Sequence, residues 1–261
     1  MEGNRPDGLC GEAITLRRSL ILALLLSFGL GLTGAADEYQ WTIETVWVGG
    51  GHVSIIRASD GTLHGCFELN DPCCSPGYTY RGEDGWSDVE RVDPDNLGGD
   101  YAEIGLNATG YPVIAYQKEN HLWVAVRSAE GWTTELVDDR AGAGKLLDLA
   151  IDASGRYHII YSILHMGLHY AVFDGLEWTL EQIRTQAEQN SGAAIAVDSQ
   201  DYPHVSYCAS VNSYYGPHSL GYGFKDELGW HFETVDGWKT NLGVYTTIEL
   251  DASDNPHICY R

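Results

Sequence analysis

The chain has 261 residues and a formal net charge of -22, from 15 Lys and Arg against 37 Asp and Glu. Its 31 Gly, 16 Tyr and 8 Trp, with only 2 Met, are typical of strands and turns rather than helices. A surface this acidic repels phosphate backbones and anionic headgroups, so nucleic acid and membranes are excluded as expected partners. Neutral sugars, cations and basic protein surfaces remain.

Residues 1–36 are predicted to form a secretory signal peptide. Arg17 and Arg18 precede an apolar run over residues 19–32, and small residues follow at 33–36, which is the order of a signal sequence and its cleavage site. An uncleaved membrane anchor is the alternative, although the run is short for a bilayer span. We therefore expect a mature domain at 37–261 that is extracellular or periplasmic and leaves the membrane after signal cleavage.

Export would allow disulfides among the five Cys of the mature domain. Cys66 ends a predicted strand, and Cys73 and Cys74 lie in the predicted loop after it, so a local bridge is one interpretation. The other, for Cys66 and Cys259, is that of small buried side chains. Cys208 is the fifth. None of the five has the spacing of a zinc site.

A repeat runs through the rest of the chain. A Trp opens the pattern W-x-x-E/V-x-V/I at Trp41, Trp86, Trp132, Trp178 and Trp230, spaced by 45, 46, 46 and 52 residues. Two strands joined by a polar turn keep phase with it, beginning at Ile104, Leu149, Ile195 and Ile248. A third short strand begins at His121, Gly167 and Ser219. Four short strands per period, without helical periodicity, predict an all-β protein, a β-propeller of four-stranded blades.

Counting strands predicts four complete blades and an incomplete fifth. If each Trp opens the outer strand, D, then segment 41–47 has no inner strands before it and is expected to close the last blade from the N-terminal side. The fifth blade has strand A near Tyr245–Leu250 and strand B near Pro256–Tyr260, but no third strand. Natural proteins avoid such an unpaired edge, so either the chain is truncated or the ring has more blades.

The repeat unit W-x-x-E-x-V…D-x-x-G/D-x-P-H-I/V-S-Y…L-x-Y-A…G-W covers essentially all of residues 41–261. It resembles the repeats of secreted bacterial β-propellers loosely related to BNR, or Asp-box, proteins. A degenerate Asp box, without its Ser or Thr, precedes strand D at residues 174–178 and 131–132. The resemblance implies the fold, whereas for function it implies only a range: sialidases, other glycosidases, lectins and interaction scaffolds.

Loop lengths distinguish the two edges of the predicted blades. The A–B and C–D turns are tight, whereas the D–A connections are long, and residues 68–77 and 208–218 are predicted to be B–C loops on the same edge. Such a loop-rich edge is where binding sites are usually built. Its predicted aromatic and acidic side chains are Tyr214, Tyr215, Trp238, Asp93, Asp95, Asp100, Asp138 and Asp139. Aromatic faces beside carboxylates suit sugar rings or cations, and the alternative is an ordinary solvated acidic rim.

Other recurring residues are predicted to be structural. Asp152, Asp198 and Asp251, with Asn107 as their counterpart, begin A–B turns and are expected to close them by side-chain hydrogen bonds. Contact with Ca²⁺ is the alternative for these acids, and no other cofactor or metal is predicted. The recurring His158, His204 and His257 are expected to pack or hydrogen-bond between blades, and the Trp series to lie in the core.

Glu103 and Asp148 depart from the repeat, since blades 4 and 5 have Ala194 and Thr247 at the same position. Paired acids near the channel mouth are what a glycosidase needs, and buried, hydrogen-bonded structural acids are the alternative. Two functions follow. The favoured one is a secreted, non-catalytic propeller that binds a glycan or an extracellular protein through its loop-rich edge, because no catalytic constellation is complete. The other is a glycoside hydrolase or lyase that uses these two acids.

Overall fold

A computed structural model describes residues 43–46, 51–70, 73–95, 101–163, 166–185, 192–210, 218–239 and 245–261, without the side chains of 73, 74, 210, 238 and 239. The chain divides into two compact units, residues 1–50 and 51–261, and the strands described below belong to the second. Within the described ranges no helix could span a membrane. The predicted signal peptide lies outside them and stays a prediction.

Each sheet in the second unit is called a blade here, numbered in chain order. Blade 1 contains β1 Val53–Arg57, β2 Leu63–Asn70, β3 Cys73–Gly82, β4 Gly85–Trp86 and β5 Glu90–Arg91. Blade 2 contains β6 Ala102–Leu106, β7 Pro112–Lys118, β8 His121–Ser128 and β9 Gly131–Asp138. Blade 3 contains β10 Lys145–Ile151, β11 Tyr157–Ile163, β12 Gly167–Phe173 and β13 Trp178–Arg184.

Blade 4 contains β14 Ala193–Val197, β15 Pro203–Ser210, β16 His218–Asp226 and β17 Gly229–Lys239. Blade 5 is described as a pair, β18 Thr246–Leu250 and β19 Pro256–Tyr260. All described pairings are antiparallel between consecutive strands, except that β5 pairs with β3. The predicted all-β class and the A–B–C–D strand order within blades are therefore confirmed.

Successive blades meet through their inner strands, and an apolar cluster fills each space between them. Strands β1, β6, β10, β14 and β18 contact one another in that order, and four clusters join the neighbouring sheets. Strand β11 is buried at every position. A strand covered on both faces reads as a continuous apolar run, which is why Tyr157–Ile163 shows little alternation.

The Trp residues that open strand D lie at the margin of these clusters. Trp132 packs edge-on against Tyr78 of blade 1, with 5.3 Å between ring centroids, and Trp230 packs against Tyr170 of blade 3 at 5.2 Å. Their indoles are half-buried rather than fully enclosed. The Trp series therefore joins neighbouring blades, in addition to contributing to the core.

Two predictions for blade 1 are corrected. Residues 68–77 were expected to form a B–C loop, but β2 and β3 pair through them, with Glu68 opposite Pro76 and Leu69 opposite Ser75. Phe67 and Leu69 are both buried, so the alternation of β2 continues up to the turn. Strand β3 then begins at Cys73, which therefore lies in a strand rather than a loop. Strand D of blade 1 is split into β4 and β5, because the segment from Trp86 to Glu90 has one residue more than the matching Trp-to-Glu segments of the other blades.

The closure of the last blade stays a prediction. Strands β18 and β19 lie where the repeat predicts strands A and B. Trp41, which should open the closing strand, lies outside the described residues. Ring closure and blade number therefore stay predictions.

Candidate ligand-binding edge

The loop-rich edge is the edge at which β6, β10, β14 and β18 begin. Tyr214, Tyr215 and Asp100, predicted to lie there, are outside the described residues. Trp238 was expected in a loop, but β17 extends to Lys239, so its backbone belongs to the end of a strand. Asp95 is exposed at this edge, and its backbone N–H donates a hydrogen bond to Asp93 Oδ1 at 3.2 Å.

Asp138 does not have the exposed position expected of a rim residue. It is 2% exposed. Both oxygens accept hydrogen bonds from Arg140, with Nη2 2.6 Å from Oδ2, and the Tyr161 hydroxyl donates to Oδ2 at 2.7 Å. Burial acts to raise the pKa of Asp138, but the hydrogen bonds from Arg140 and Tyr161 outweigh it and hold the pKa below its usual value. Both oxygens of this carboxylate are therefore engaged by neighbouring side chains of the protein rather than exposed to a ligand.

The same contact recurs between other blades, and we call it the interblade latch. A carboxylate at the end of one blade's strand D accepts a hydrogen bond from a tyrosine at the end of the next blade's strand B. The bonds are Tyr116 to Asp93 at 2.7 Å, Tyr161 to Asp138 at 2.7 Å and Tyr260 to Asp236 at 3.1 Å. Lys118 also forms an ion pair with Asp93 at 2.8 Å, so this second rim candidate is buried and occupied too.

The latch is not evident from the acid or the tyrosine alone. Asp follows strand D, and Tyr ends strand B, at fixed places of the repeat. Their joint recurrence is the signal that could have revealed the pair.

The turn acids have the predicted structural role. The Oδ1 atoms of Asn107, Asp152, Asp198 and Asp251 each accept the backbone N–H four residues later, at 2.8 to 3.0 Å. Two more acids join successive turns: Ser154 Oγ donates to Asp201 Oδ2 at 2.5 Å, and Ser199 Oγ donates to Asp254 Oδ2 at 2.6 Å. The described part of the chain has no group of three or more His, Cys, Asp or Glu placed to hold a metal ion.

The recurring histidines bond within a blade, not between blades as expected. His158 bonds through Nε2 to Asp152 at 2.9 Å and through Nδ1 to the Tyr170 hydroxyl at 2.6 Å. In blade 4, His204 lies 3.3 Å from Asp198 and 2.6 Å from Tyr222. The ring therefore links the A–B turn to strand C of its own blade. Burial lowers the pKa of His158, although Asp152 acts to raise it.

Cysteine placement decides between the two earlier interpretations. Cys66 is a free, fully buried thiol whose Sγ donates to the Ala102 carbonyl at 3.4 Å, so it takes no part in a local bridge. Burial raises the pKa of Cys66 well above its usual value. Cys208 is also buried, whereas Cys259 is exposed, contrary to the buried interpretation.

Glu103 and Asp148 do lie close together at the starts of two adjacent inner strands. The Asp148 carboxylate accepts the backbone N–H of Leu149 at Oδ1 and that of Ile195, in the next blade, at Oδ2, both at 2.8 Å. Burial raises the pKa of Asp148 to about 6, although these two hydrogen bonds act to lower it. Burial, with the charge of Asp148, raises the pKa of Glu103 to about 8, although a hydrogen bond with Ser54 opposes the shift.

Because the pKa of Glu103 is raised above that of Asp148, a proton held by the pair is expected on Glu103, which is the arrangement of a general acid beside a carboxylate. Both Asp148 oxygens nevertheless accept hydrogen bonds from backbone N–H groups.

A shallow pocket of about 210 Å³ opens elsewhere on the loop-rich edge, at the end of β13. It is lined by Gln182, Ile183, Arg184 and Thr185.

No protein-family profile and no curated protein sequence matches the chain. Its structure is similar to that of SapL1 lectin in complex with alpha methyl fucoside, with a TM-score of 0.57 and 13% identity over 81% of this chain and 71% of the lectin. It is also similar to an ulvan lyase, with a TM-score of 0.54 and 12% identity over 80% of this chain and 60% of the lyase. For the intramolecular trans-sialidase from Ruminococcus gnavus, the TM-score is 0.52 and the identity 13%, over 71% of this chain and 45% of the trans-sialidase.

The chain thus spans less than two thirds of the lyase and of the trans-sialidase. At these identities the likeness is one of fold, and these neighbours are lectin, lyase and sialidase β-propellers. The all-β structure of residues 51–261 is therefore similar in fold to these β-propellers.

Proposed function

We propose that the protein is a secreted, non-catalytic β-propeller that binds a carbohydrate through its loop-rich edge, its last blade closed by the segment around Trp41. The observation that carries this is the division of polar groups between the edges. Acids of the A–B turns, and the histidines that follow them, form hydrogen bonds within a blade or to the next blade. By contrast, Asp95, Asp139 and Tyr245 are exposed at the loop-rich edge, and the exposed fraction of Tyr245 is 62%.

The fold supports this assignment without specifying a sugar. Structurally similar chains include a lectin solved with a fucoside. An exposed tyrosine offers an apolar ring face with a polar tip, which suits the alternating apolar and hydroxyl faces of a sugar. An extracellular protein is the second class of ligand for the same edge, and the following experiment separates the two.

The test is a glycan array with the mature protein, followed by calorimetric titration of the best oligosaccharide. Trp238→Ala, Tyr215→Ala and Tyr245→Ala are expected to weaken binding at least tenfold, since each removes an aromatic face. Leu176→Ala and Leu228→Ala, which truncate side chains exposed by 91% and 88% in the turns of the opposite edge, are the controls. Absence of glycan binding, or equal losses in all five variants, would contradict the proposal.

The second candidate function is hydrolysis or lysis of a polysaccharide by Glu103 and Asp148. Its support is the raised pKa of Glu103 beside Asp148. Against it stands the use of both Asp148 oxygens by backbone N–H groups.

A panel of plant, algal and bacterial polysaccharides distinguishes the two functions. We expect no cleavage, and retained glycan binding in Glu103→Gln and Asp148→Asn. A true acid–base pair contributes about 10²–10⁴-fold in rate, so wild-type cleavage that disappears in both variants would establish the enzyme.

A further inference from the structure

Arg184 breaks the pattern of the interblade latch. At the end of β13 it occupies the position that Asp138 holds in the preceding blade and Asp236 in the following one. Where those carboxylates accept a tyrosine hydroxyl, the Arg184 guanidinium lies over the ring of Tyr207, 5.8 Å from its centroid. A cation thus replaces an anion at this position, in a chain of net charge -22.

Two further residues at the same interface differ from their counterparts. Gly221 pairs with Tyr207, whereas Trp123 and His169 pair with the corresponding tyrosines of blades 2 and 3. Its missing side chain leaves room for the Tyr207 ring, since a Cβ there would lie 2.4 Å from Cζ. Phe232 also lies beside the guanidinium carbon, 5.0 Å from its ring centroid. Blade 4 is therefore built to place two aromatic rings against this cation.

The charge of Arg184 is left without an acidic partner in the described part of the chain. Its Nε atom is buried and has no hydrogen-bond partner among the described residues. None of the ion pairs formed by these residues includes it, although Arg140, which follows blade 2, and Arg156 of blade 3 are paired. A buried donor without an acceptor is costly, which indicates that an acceptor arrives from outside.

Such an acceptor could bind in the pocket at the end of β13. It is about 210 Å³ in volume and is lined by Arg184 and its neighbours Gln182, Ile183 and Thr185. A guanidinium presents its N–H groups in a planar fork that matches the oxygens of a carboxylate or sulfate. The Tyr207 and Phe232 rings, whose planes are 85° apart, contact the guanidinium from two directions and so limit its movement.

We propose that the Arg184 pocket binds the oxyanion of an acidic sugar, a carboxylate or a sulfate. This inference rests on the proposed glycan-binding function and adds the class of sugar. The overall negative charge does not prevent it, because exposed charges more than about 8 Å away are screened at physiological ionic strength, whereas the bound oxyanion touches the guanidinium. The same charge disfavours densely charged polyanions and leaves glycans whose acidic units are few or spaced.

The test compares sugars that differ only in charge. Oligogalacturonates and their neutral methyl esters, and a sulfated galactan and its desulfated form, are titrated into the wild type and Arg184→Gln at about 0.15 M salt, where long-range repulsion is screened. We expect the wild type to prefer one acidic form by about tenfold or more, and Arg184→Gln to lose that preference while it keeps its affinity for the neutral form. Which acid is preferred distinguishes carboxylate from sulfate.

Two further variants keep the experiment decisive. Arg184→Lys retains the charge but not the fork, and an intermediate preference is expected. Arg57→Gln removes an exposed cation near the opposite edge and should leave the preference unchanged. Thermal unfolding of each variant checks that it is folded.

Three results would overturn the inference. If the wild type binds acidic and neutral forms equally, the glycan-binding function stands and the Arg184 assignment fails. If Arg184→Gln lowers only the melting temperature, the guanidinium is a packing element. If no glycan of either charge binds, the proposed function itself fails, and this inference fails with it.

Discussion

Asp138 carries a negative charge at a position that is 2% exposed. The charge is tolerated because Arg140 and Tyr161 donate hydrogen bonds to both oxygens. Because these bonds hold the folded-state pKa of Asp138 below its usual value, their stabilisation is present above the unfolded-state pKa of about 3.9 and is lost as pH falls through the folded-state value.

Asp138→Ala is therefore expected to lower the free energy of unfolding at neutral pH by about 2–3 kcal/mol, since it removes both bonds and leaves Arg140 without its partner. The neighbouring Asp139 is exposed, so Asp139→Ala is the matched control and should change stability by less than about 0.5 kcal/mol. Urea denaturation at neutral pH measures both. Equal losses would show that the buried latch carries no particular stability.

Glu103 has the opposite dependence on pH. Its folded-state pKa of about 8 lies above the unfolded-state value of about 4.3. Between these two values the unfolded chain has released a proton that the folded protein retains, so the stability of the wild type falls as pH rises and levels off above about pH 8.

The amide in Glu103→Gln imitates the protonated acid and does not titrate. We expect this variant to match the wild type near pH 4 and to exceed it in stability by about 5 kcal/mol near pH 9. Chemical denaturation over that range measures the difference, with Glu135→Gln, a change at an exposed position, as the control. A difference that does not vary with pH would mean that Glu103 is ionised in the folded protein.

At the scale of elements, the Trp and Glu of the W-x-x-E pattern face different neighbours. Glu90 of blade 1 accepts a hydrogen bond from Trp132 Nε1 of blade 2 at 3.0 Å, and Glu181 of blade 3 accepts one from Trp230 of blade 4 at 3.0 Å. Arg127 and Lys225 complete these contacts as ion pairs. At two blade interfaces, 1–2 and 3–4, the Glu of one strand D therefore bonds to the Trp of the next, which gives a reason for the two residues to recur together.

Trp178 lacks this bond and provides an internal comparison. Its Nε1 is buried and has no partner among the described residues. We expect Trp132→Phe and Trp230→Phe to be about 1 kcal/mol more destabilising than Trp178→Phe, because only the first two leave a glutamate without its donor. Denaturation of the three variants tests this. Three equal losses would assign the stabilisation to ring packing alone.

At the scale of the whole molecule, a net charge of -22 spread over one domain repels itself. Added salt screens this repulsion. Raising sodium chloride from about 20 to 200 mM is therefore expected to raise the melting temperature by a few degrees.

Calcium chloride at the same ionic strength is the comparison, because contact with Ca²⁺ is the alternative role for the turn acids. Their oxygens accept backbone hydrogen bonds, so we expect the two salts to act alike. A clearly larger rise with calcium would identify a specific cation site, and no rise with either salt would contradict the repulsion argument.

Local features of the sequence were sufficient to predict most strands. The phase of the Trp series and the Asp-led turns located β10–β13, because alternation and turn chemistry depend on residues a few positions apart. The prediction failed at residues 68–77, where turn-forming residues appeared to define a long loop. Burial of Leu69 instead continues the strand to the turn, and burial depends on a neighbouring blade that the local sequence does not contain.

The candidate site was only partly predictable. Glu103 and Asp148 were recognised because they break the repeat, and the structure does bring them together. Asp138 was assigned to ligand binding because it follows a strand on the correct edge, and nothing nearby in sequence shows that Tyr161 covers it. Arg184 was not recognised, although its alignment with Asp138 in the repeat was a signal that could have revealed it.

The sequence by itself therefore determined the all-β class, the period of the repeat and the edge on which the long connections gather, since these follow from local spacing. Tertiary structure decided which polar groups are occupied. Asp138 and Arg184 stand at the same place in successive repeats, yet one is bonded on every side and the other has an unpaired Nε among the described residues. The difference arises from the next blade, more than twenty residues further along the chain, where Tyr161 donates a hydrogen bond and Tyr207 presents its ring.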